Sequence, residues 1–551
     1  MLPEIQKRVL AISQGVHKGA LVFNRVLLHC LNNNLQFPDL TDPKLYQQCI
    51  RIGTGKSSEK LDKTVEMIWN TYFKNFPNIA RYTEDSNSIV DAAKKYQTNF
   101  KNSLIFAFQG RQKKFIKTIL RTKNQNENLW YSIACYINGW DCKTVLTPDL
   151  MAFVKTEQEI LKATVPITRE WLGNHSEQVV KYYYHILQEL EKIENSKKFT
   201  LAPLCRIKSH FLTIDSTVLY GILGNLKPIK TDRSKFIKEK ATHWPNYFKF
   251  QPLSKHEFTY YIQTDGVSVC VHYLKPKKIK SEIKSNPNKR VIAIDPGRSN
   301  LIYGVEKLSD NSTKKYTLTR QSYYNRCGMK EAKKNTAKWE KTIKAEEDLF
   351  AQVSLRTTNE DHWRQFLSNY LLVYNRLWGL KTKRKWGQQR FRTYRLRRRC
   401  LDKFFASMKG KDQPTPVIAY GSAKFNPNSK NELSAPTTSL SKKCGTFYPT
   451  IMVDEFRTTK ICYNCDCQLH PVGYNKKGED GSVSYREIRG LRWCSSTKCR
   501  KFKNRDMNAA LNILRCYLAG EQRPKGLGRN ESALPKIKSV MITRHDGHQG
   551  A

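Results

Sequence analysis

No apolar run in this chain approaches the roughly 18–20 residues that a membrane-spanning helix needs, so no spanning segment is expected. Residues 1–22 lack the apolar core and small-residue cleavage site of a secretory leader, so none is predicted. Internal repeats are absent, which speaks against a solenoid. The 15 cysteines are odd in number and mostly scattered, so a disulfide framework is not expected and a reducing compartment is. Acids are the scarcest class for the chain's charge: 48 Asp and Glu stand against 96 Lys and Arg, a formal net charge of +48. A compact body with that charge implies a polyanionic partner, with nucleic acid first and a membrane surface as rival. Aromatics interleaved with Lys and Arg suit stacking on unpaired bases, although most such rings belong to cores.

Where acids are few, those placed among apolar residues are informative. Asp295 ends the apolar run Val291-Ile292-Ala293-Ile294, and Pro296-Gly297 turns the chain at once. Asp506 shares helical register with Ala509, Ala510 and Ile513, so it opens the apolar face of a helix. A carboxylate on a buried face is costly unless it is paired or binds a cation. Taken singly, Asp295 also reads as a turn residue and Asp506 as a helix cap or a charge favoured by the helix dipole. Together they point to a divalent-metal site.

The length suggests roughly three to four domains. Residues 60–195 read as helical; in 176–194 the stripe Val179, Val180, Tyr183, Ile186, Leu187, Leu190 and Ile193 marks one buried face. Two β-rich runs, 258–264 and 267–274, flank Asp265-Gly266 and predict a hairpin within a β module over about 200–280. Residues 275–289 read as a basic linker. An α/β pattern follows, with strands at 291–294, 301–305, 315–319, 417–420 and 450–456 and a helix over 506–518. The tail from 520 is rich in Gly, Pro and Lys and is expected to be loosely ordered.

Cys462-Tyr463-Asn464-Cys465 and the later Cys494 and Cys499 form two close pairs. In a reducing setting such pairs predict one tetrahedral four-cysteine zinc site, structural because no coordination position is left open. Cys467 and His470 compete as ligands. The densest basic run is 381–399, where Lys381, Lys383, Arg384, Lys385, Arg390, Arg392, Arg395, Arg397, Arg398 and Arg399 alternate with Trp386 and Tyr394. It suits a phosphate backbone; a solvated basic face or a nuclear import signal fits the same residues.

The Asp295-Pro296-Gly297 element, the Thr458-Thr459-Lys460-Ile461-Cys462 approach to the finger and Asn504-Arg505-Asp506-Met507-Asn508-Ala509-Ala510 together resemble the RuvC-like nuclease of TnpB proteins, in particular the eukaryotic Fanzor branch. The hairpin Thr264-Asp265-Gly266-Val267-Ser268-Val269 is similar too. The resemblance implies a multidomain α+β fold: a helical recognition lobe over 41–198; a wedge-like β-barrel over 199–285 with an N-terminal contribution from 1–40; an RNase H-like RuvC domain over 286–456 and 504–519; an inserted zinc finger over 457–503; and a basic flexible tail over 520–551. It implies an RNA-guided, Mg²⁺-dependent DNA endonuclease in the nucleus, monomeric in a ribonucleoprotein, with an omega-type guide RNA and double-stranded target DNA as partners, and no membrane. Two Mg²⁺ (or Mn²⁺) ions would sit on Asp295, a third acid and Asp506, and one Zn²⁺ on the cysteines. TnpB proteins place the middle Glu at the end of the strand that here is 417–420, where this chain has Gly421. The Fanzor-like pattern moves it to the strand before the finger, where alternation favours Glu455 over Asp454; Glu487 is a further candidate. A structure-specific or transposition-associated nuclease without RNA, and a decayed RNA-guided binder, are the competing readings.

Overall fold

A helix of 31 residues, Leu2–Asn32, opens the chain. Pro3 lies in its first turn and Glu4 faces the positive end of the helix dipole. The helix is buried almost all round, so its polar residues need partners. Lys18 Nζ donates to Pro77 O and Asn78 Oδ1, both at 2.8 Å, and Arg25 pairs with Glu360 at 2.8 Å. Gly15 and Gly19 admit the helix Pro43–Gly53 at backbone contact: a Cβ there would stand 2.8 Å from Ile50 O and 2.9 Å from Cys49 O.

The computed structural model describes residues 1–55, 61–79, 86–163, 166–276, 289–410, 413–423, 425, 435–477, 482–535 and 537–542. Most of the expected linker 275–289, and the end of the tail, lie outside these. The chain divides into two units, 1–277 with 336–391, and 278–335 with 392–551.

In the first unit, Ser86–Thr122 and Ser176–Glu191 are helices, and the stripe from Val179 to Leu190 is buried as its spacing requires. Strands β1 (Leu212–Ile214), β2 (Glu257–Thr264) and β3 (Val269–Leu274) form an antiparallel sheet in that order. The β2–β3 turn is fixed by Asp265, whose Oδ1 accepts from Val267 N and Ser268 N at 3.1 and 2.9 Å. Among the described residues these strands do not close a barrel. Of residues 1–40, expected to contribute to it, Leu2–Asn32 form the opening helix instead. Residues 336–391, placed by the sequence within the nuclease segment, belong to this first unit. Their helix Glu360–Lys381 buries Trp363, Tyr370, Tyr374 and Trp378 in its core.

The second unit is built on a five-stranded sheet. Its strands are β4 (Val291–Asp295), β5 (Asn300–Lys307), β6 (Thr313–Thr319), β7 (Val417–Gly421) and β8 (Thr450–Val453), in the order β6-β5-β4-β7-β8. The first three are antiparallel neighbours, and β7 and β8 run parallel to β4. Alternation sends Ile292, Ile294, Ile418 and Tyr420 to one face, against Leu401, Phe405 and Met408 of the helix Arg384–Lys409. Val291, Ala293, Ala419 and Val453 face the other way, against Ala510, Ile513, Leu514 and Tyr517 of the helix Arg505–Leu518.

Strands β9 (His470–Lys477), β10 (Val483–Cys494) and β11 (Lys501–Asn504) form a second sheet, and the short β12 (Val540–Met541) adds to its edge parallel to β9. The part of the tail described, 520–535 and 537–542, is therefore seated: Leu527 is fully buried, and His470 Nδ1 lies 3.1 Å from Lys538 O.

Candidate metal centres

Period-2 alternation puts Asp295 on the same face as Val291 and Ala293, the face covered by the helix Arg505–Leu518. That helix starts at the N-cap Asn504, whose Oδ1 accepts from Met507 N at 2.9 Å, so Asp506 falls in its first turn. The register that buries Ala510, Ile513 and Tyr517 brings Asp506 to the sheet beside Asp295. Asn300, at the start of β5, donates from Nδ2 to Asp506 Oδ2 at 2.7 Å.

Glu455 reaches the same place by another route. The sequence expects a strand over 450–456 that sets its face by alternation; β8 instead ends at Val453, and the chain leaves the sheet before Glu455. Its carboxylate turns back over the end of β7, where Ala423 N donates to Oε1 at 3.0 Å. A Cβ on Gly421 would stand 1.8 Å from that oxygen, so the carboxylate occupies the space a side chain there would take. β4, β7 and β8 are parallel, so Asp295, Gly421 and Glu455 mark one edge, the carboxyl ends of the strands, where open α/β sheets place their ligands.

Burial dominates the electrostatics of the cluster. Asp295, 6 % exposed, is held well above the usual carboxylate range by desolvation, then by the charges of Glu455 and Asp506, with Arg505 opposing. Burial pushes Glu455 up to about 7, against the Ala423 hydrogen bond that lowers it. Asp295 thus feels two further carboxylates against one opposing guanidinium, an unfavourable set unless a cation joins it. Hard oxygen donors of this kind fit Mg²⁺ or Mn²⁺.

The other two acids are engaged elsewhere. Asp454 is held below the usual range chiefly by Arg529, whose Nε and Nη2 reach its carboxylate at 2.7 and 2.8 Å. Glu487 is an exposed charge on β10, paired with Arg492 at 2.7 Å.

Among the described residues, Cys462, Cys465, Cys494 and Cys499 form the one His/Cys/Asp/Glu group whose ligand atoms all lie within 4.8 Å of each other. The Sγ atoms of Cys462 and Cys499 are 3.8 Å apart and those of Cys465 and Cys494 3.4 Å. A tetrahedral zinc with bonds of about 2.3 Å separates its sulfurs by about 3.8 Å, so the group fits zinc. Cys467 is exposed, and His470 is directed at Lys538 O and Ser495. The knuckle is lashed to the helix Arg505–Leu518 by two fully buried asparagines. Asn508 Nδ2 donates to Thr458 O and Ile461 O at 2.9 and 2.7 Å, Asn512 Nδ2 to the same pair at 2.9 and 2.8 Å, and Asn508 Oδ1 accepts from Tyr463 N at 3.1 Å.

The basic run divides by environment. Lys381 is paired with Glu340 and Glu347 at 2.6 and 3.3 Å, and Trp386 Nε1 donates to Leu380 O. Lys385 lies over the Trp339 ring, Arg390 pairs with Asp265 at 3.2 Å, and Arg392 pairs with Glu331 at 2.9 Å. Lys383, Arg384, Tyr394, Arg395, Arg397, Arg398 and Arg399 are at least partly exposed.

Asn300, Gly421 and Ala423 contribute to the acid cluster without having been assigned a role there from the sequence. Only Gly421, as an absence of the expected acid, left a trace in it.

The fold and its clusters define a multidomain α+β protein with an acid cluster on a parallel sheet edge and a four-cysteine knuckle beside it. Residues 438–513 match the Cas12f1-like TNB domain. Among solved structures the chain is similar to a protein in the cryo-EM structure of the Cas12f1-sgRNA-target DNA complex, at 11% identity, with 90% of this chain and 95% of that one covered and a TM-score of 0.27. No curated protein matches the chain.

Proposed function

We propose that this protein is an RNA-guided DNA endonuclease of the TnpB and Cas12 type, on the Fanzor side of that group. The observation that carries the reading is the meeting of Asp295, Glu455 and Asp506, from three distant parts of the chain, next to a knuckle in a region matching the Cas12f1-like TNB domain. The strand order, with three antiparallel strands followed by two parallel ones, supports an RNase H-like RuvC domain. The three acids would hold two Mg²⁺ or Mn²⁺ ions, and one Zn²⁺ would close the knuckle. When bound, the paired ions supply a water of lowered pKa and stabilise the leaving oxygen of a phosphodiester. The chain's own part is positional: Asn300 orients Asp506, Ala423 N–H orients Glu455, and sheet packing fixes Asp295. The residues Lys383, Arg384, Tyr394, Arg395 and Arg397 to Arg399 would hold the backbones of guide and target. A guide RNA and double-stranded target DNA are the partners, the protein acts as a monomer in the ribonucleoprotein, and the nucleus is its compartment.

The test is to purify the protein from cells expressing its native locus, sequence any bound RNA, and assay cutting of a matching duplex in Mg²⁺. The expected result is a co-purifying RNA and guided cutting that Asp295→Ala abolishes without loss of target binding. Cutting of branched DNA without RNA would show a structure-specific nuclease instead. Matched binding that never nicks in Mg²⁺ or Mn²⁺ would show a decayed site.

A further inference from the structure

Glu455 stands outside the sheet, two residues past the last ladder position of β8, so strand pairing does not fix it. We propose that the C-terminal strap, 520–535, is the element that positions it. Arg529 at the carboxylate and Arg523 at the carbonyl grip the adjacent Asp454 and thereby hold the Glu455 carboxylate over Gly421. The proposal rests on the role of Glu455 as a metal ligand.

Arg529 makes a two-pronged pair with Asp454 at 2.7 and 2.8 Å, a geometry that fixes orientation as well as charge. Arg523 Nη1 donates to the Asp454 carbonyl at 2.9 Å and lies 3.6 Å from Cys516 Sγ, tying the main chain at 454 to the helix that carries Asp506. The next residues are held as well. The Arg529 guanidinium lies 5.2 Å from the centre of the Phe456 ring, and Arg457 Nη2 donates to Ser532 O at 2.7 Å.

The strap is itself anchored. Leu527 is fully buried in the cluster formed by Val453, Ile461, Leu514 and Tyr517. Both Glu531 carboxylate oxygens accept from Gly526 N, at 2.7 and 2.8 Å, and close the loop between them. A bulk surface contact would not need both a main-chain and a side-chain grip on one residue beside an acid. Asp454 thus acts as the handle of Glu455 rather than its substitute.

The experiment measures Mn²⁺ binding by calorimetry on the purified full chain, with thermal unfolding alongside. Wild type is expected to bind Mn²⁺ in a manner lost in Asp295→Ala. Arg529→Ala should weaken Mn²⁺ binding about tenfold, the scale for loss of a group that orients a ligand. Its Tm should move by less than about 4 °C, because an exposed ion pair contributes little to global stability. Arg529→Lys, which keeps the charge but not the fork, should lie between. In cleavage assays the Arg529→Ala deficit should shrink as Mn²⁺ is raised. Should Arg529→Ala unfold the chain, Asp454→Asn, which leaves both arginines and the carbonyl in place, gives the same reading. Unchanged Mn²⁺ affinity in these variants, with Asp295-dependent binding intact in wild type, overturns the role of the strap alone. Absence of Asp295-dependent binding in wild type overturns the metal-site reading, and this proposal with it.

Discussion

At position 421 the chain has room for a foreign carboxylate only because it offers no side chain of its own. Gly421→Ala keeps an allowed backbone but places a methyl group 1.8 Å from Glu455 Oε1, so the acid must move. A shift of about 1 Å at a reacting centre costs on the order of a hundredfold in rate. Gly421→Ala should therefore lower guided cleavage by about that factor while binding a matched target normally, which a single-turnover assay beside a binding assay would show. His17 offers a test far from the site. Its Nδ1 donates to Cys205 O and its Nε2 accepts from the Tyr370 hydroxyl, both at 2.6 Å, so it is held neutral. Burial brings its pKa down to about 4. The unfolded value is about 6.5, so its contribution to stability is complete above that pH and is lost as pH falls toward 4, with about 2 kcal/mol gone by pH 5. The urea midpoint should fall between pH 6.5 and 5, and the fall should flatten in His17→Gln; an equal slope in both removes His17 as its cause. Neither effect is written in the sequence in readable form. Asp295 is legible because an acid ending an apolar strand violates a strong pattern. Glu455 is reached through family resemblance together with an alternation argument, but the strand that alternation assumes ends at Val453, before it.

The four-cysteine knuckle and the helix Arg505–Leu518 behave as one element because asparagine amides join them in addition to the apolar packing of Ile461 and Tyr463. Asn508→Ala leaves Tyr463 N without its acceptor inside the Cys462–Cys465 turn. An unpaired buried N–H costs about 1–3 kcal/mol. The variant should lose that much stability and release zinc to a colorimetric chelator faster than wild type, whereas an exposed substitution such as Lys498→Ala should do neither. Elements of this kind separate what sequence can and cannot give. The strands β4 to β7 and the helix after the finger were legible within a few residues, because each has one buried face and a clean period. The opening helix was not, because burial all round removes the polar stripe that advertises a helix. Gly15 and Gly19 look like flexibility until the backbone of the neighbouring helix is seen against them. The seated tail was hidden for another reason: apart from Leu527 its anchors are main-chain carbonyls and ion pairs, which composition does not reveal.

For the whole molecule the dominant quantity is the excess of 48 positive charges. Each phosphate neutralised by the protein releases condensed counterions, so the logarithm of affinity falls linearly with that of salt, by about 0.7–0.9 per contact. Not every base in the 381–399 run has charge to spare. Lys381, Arg390 and Arg392 already face carboxylates, and Trp386 is packed against Trp339. Arg397, Arg398 and Arg399 are exposed, and Arg398 reaches Asp402 only at 3.9 Å. Replacing these three with Ala should make the salt dependence of nucleic-acid binding shallower by about 2–3 while leaving Tm nearly unchanged. Replacing Lys381 should instead lower stability with little change in slope, because what it neutralises is internal. Fluorescence-anisotropy titrations across a range of salt concentrations, with thermal melts of the same proteins, separate the two outcomes. If the triple variant keeps the wild-type slope, the exposed arginines form a solvated face, and the polyanion lies along another part of the surface.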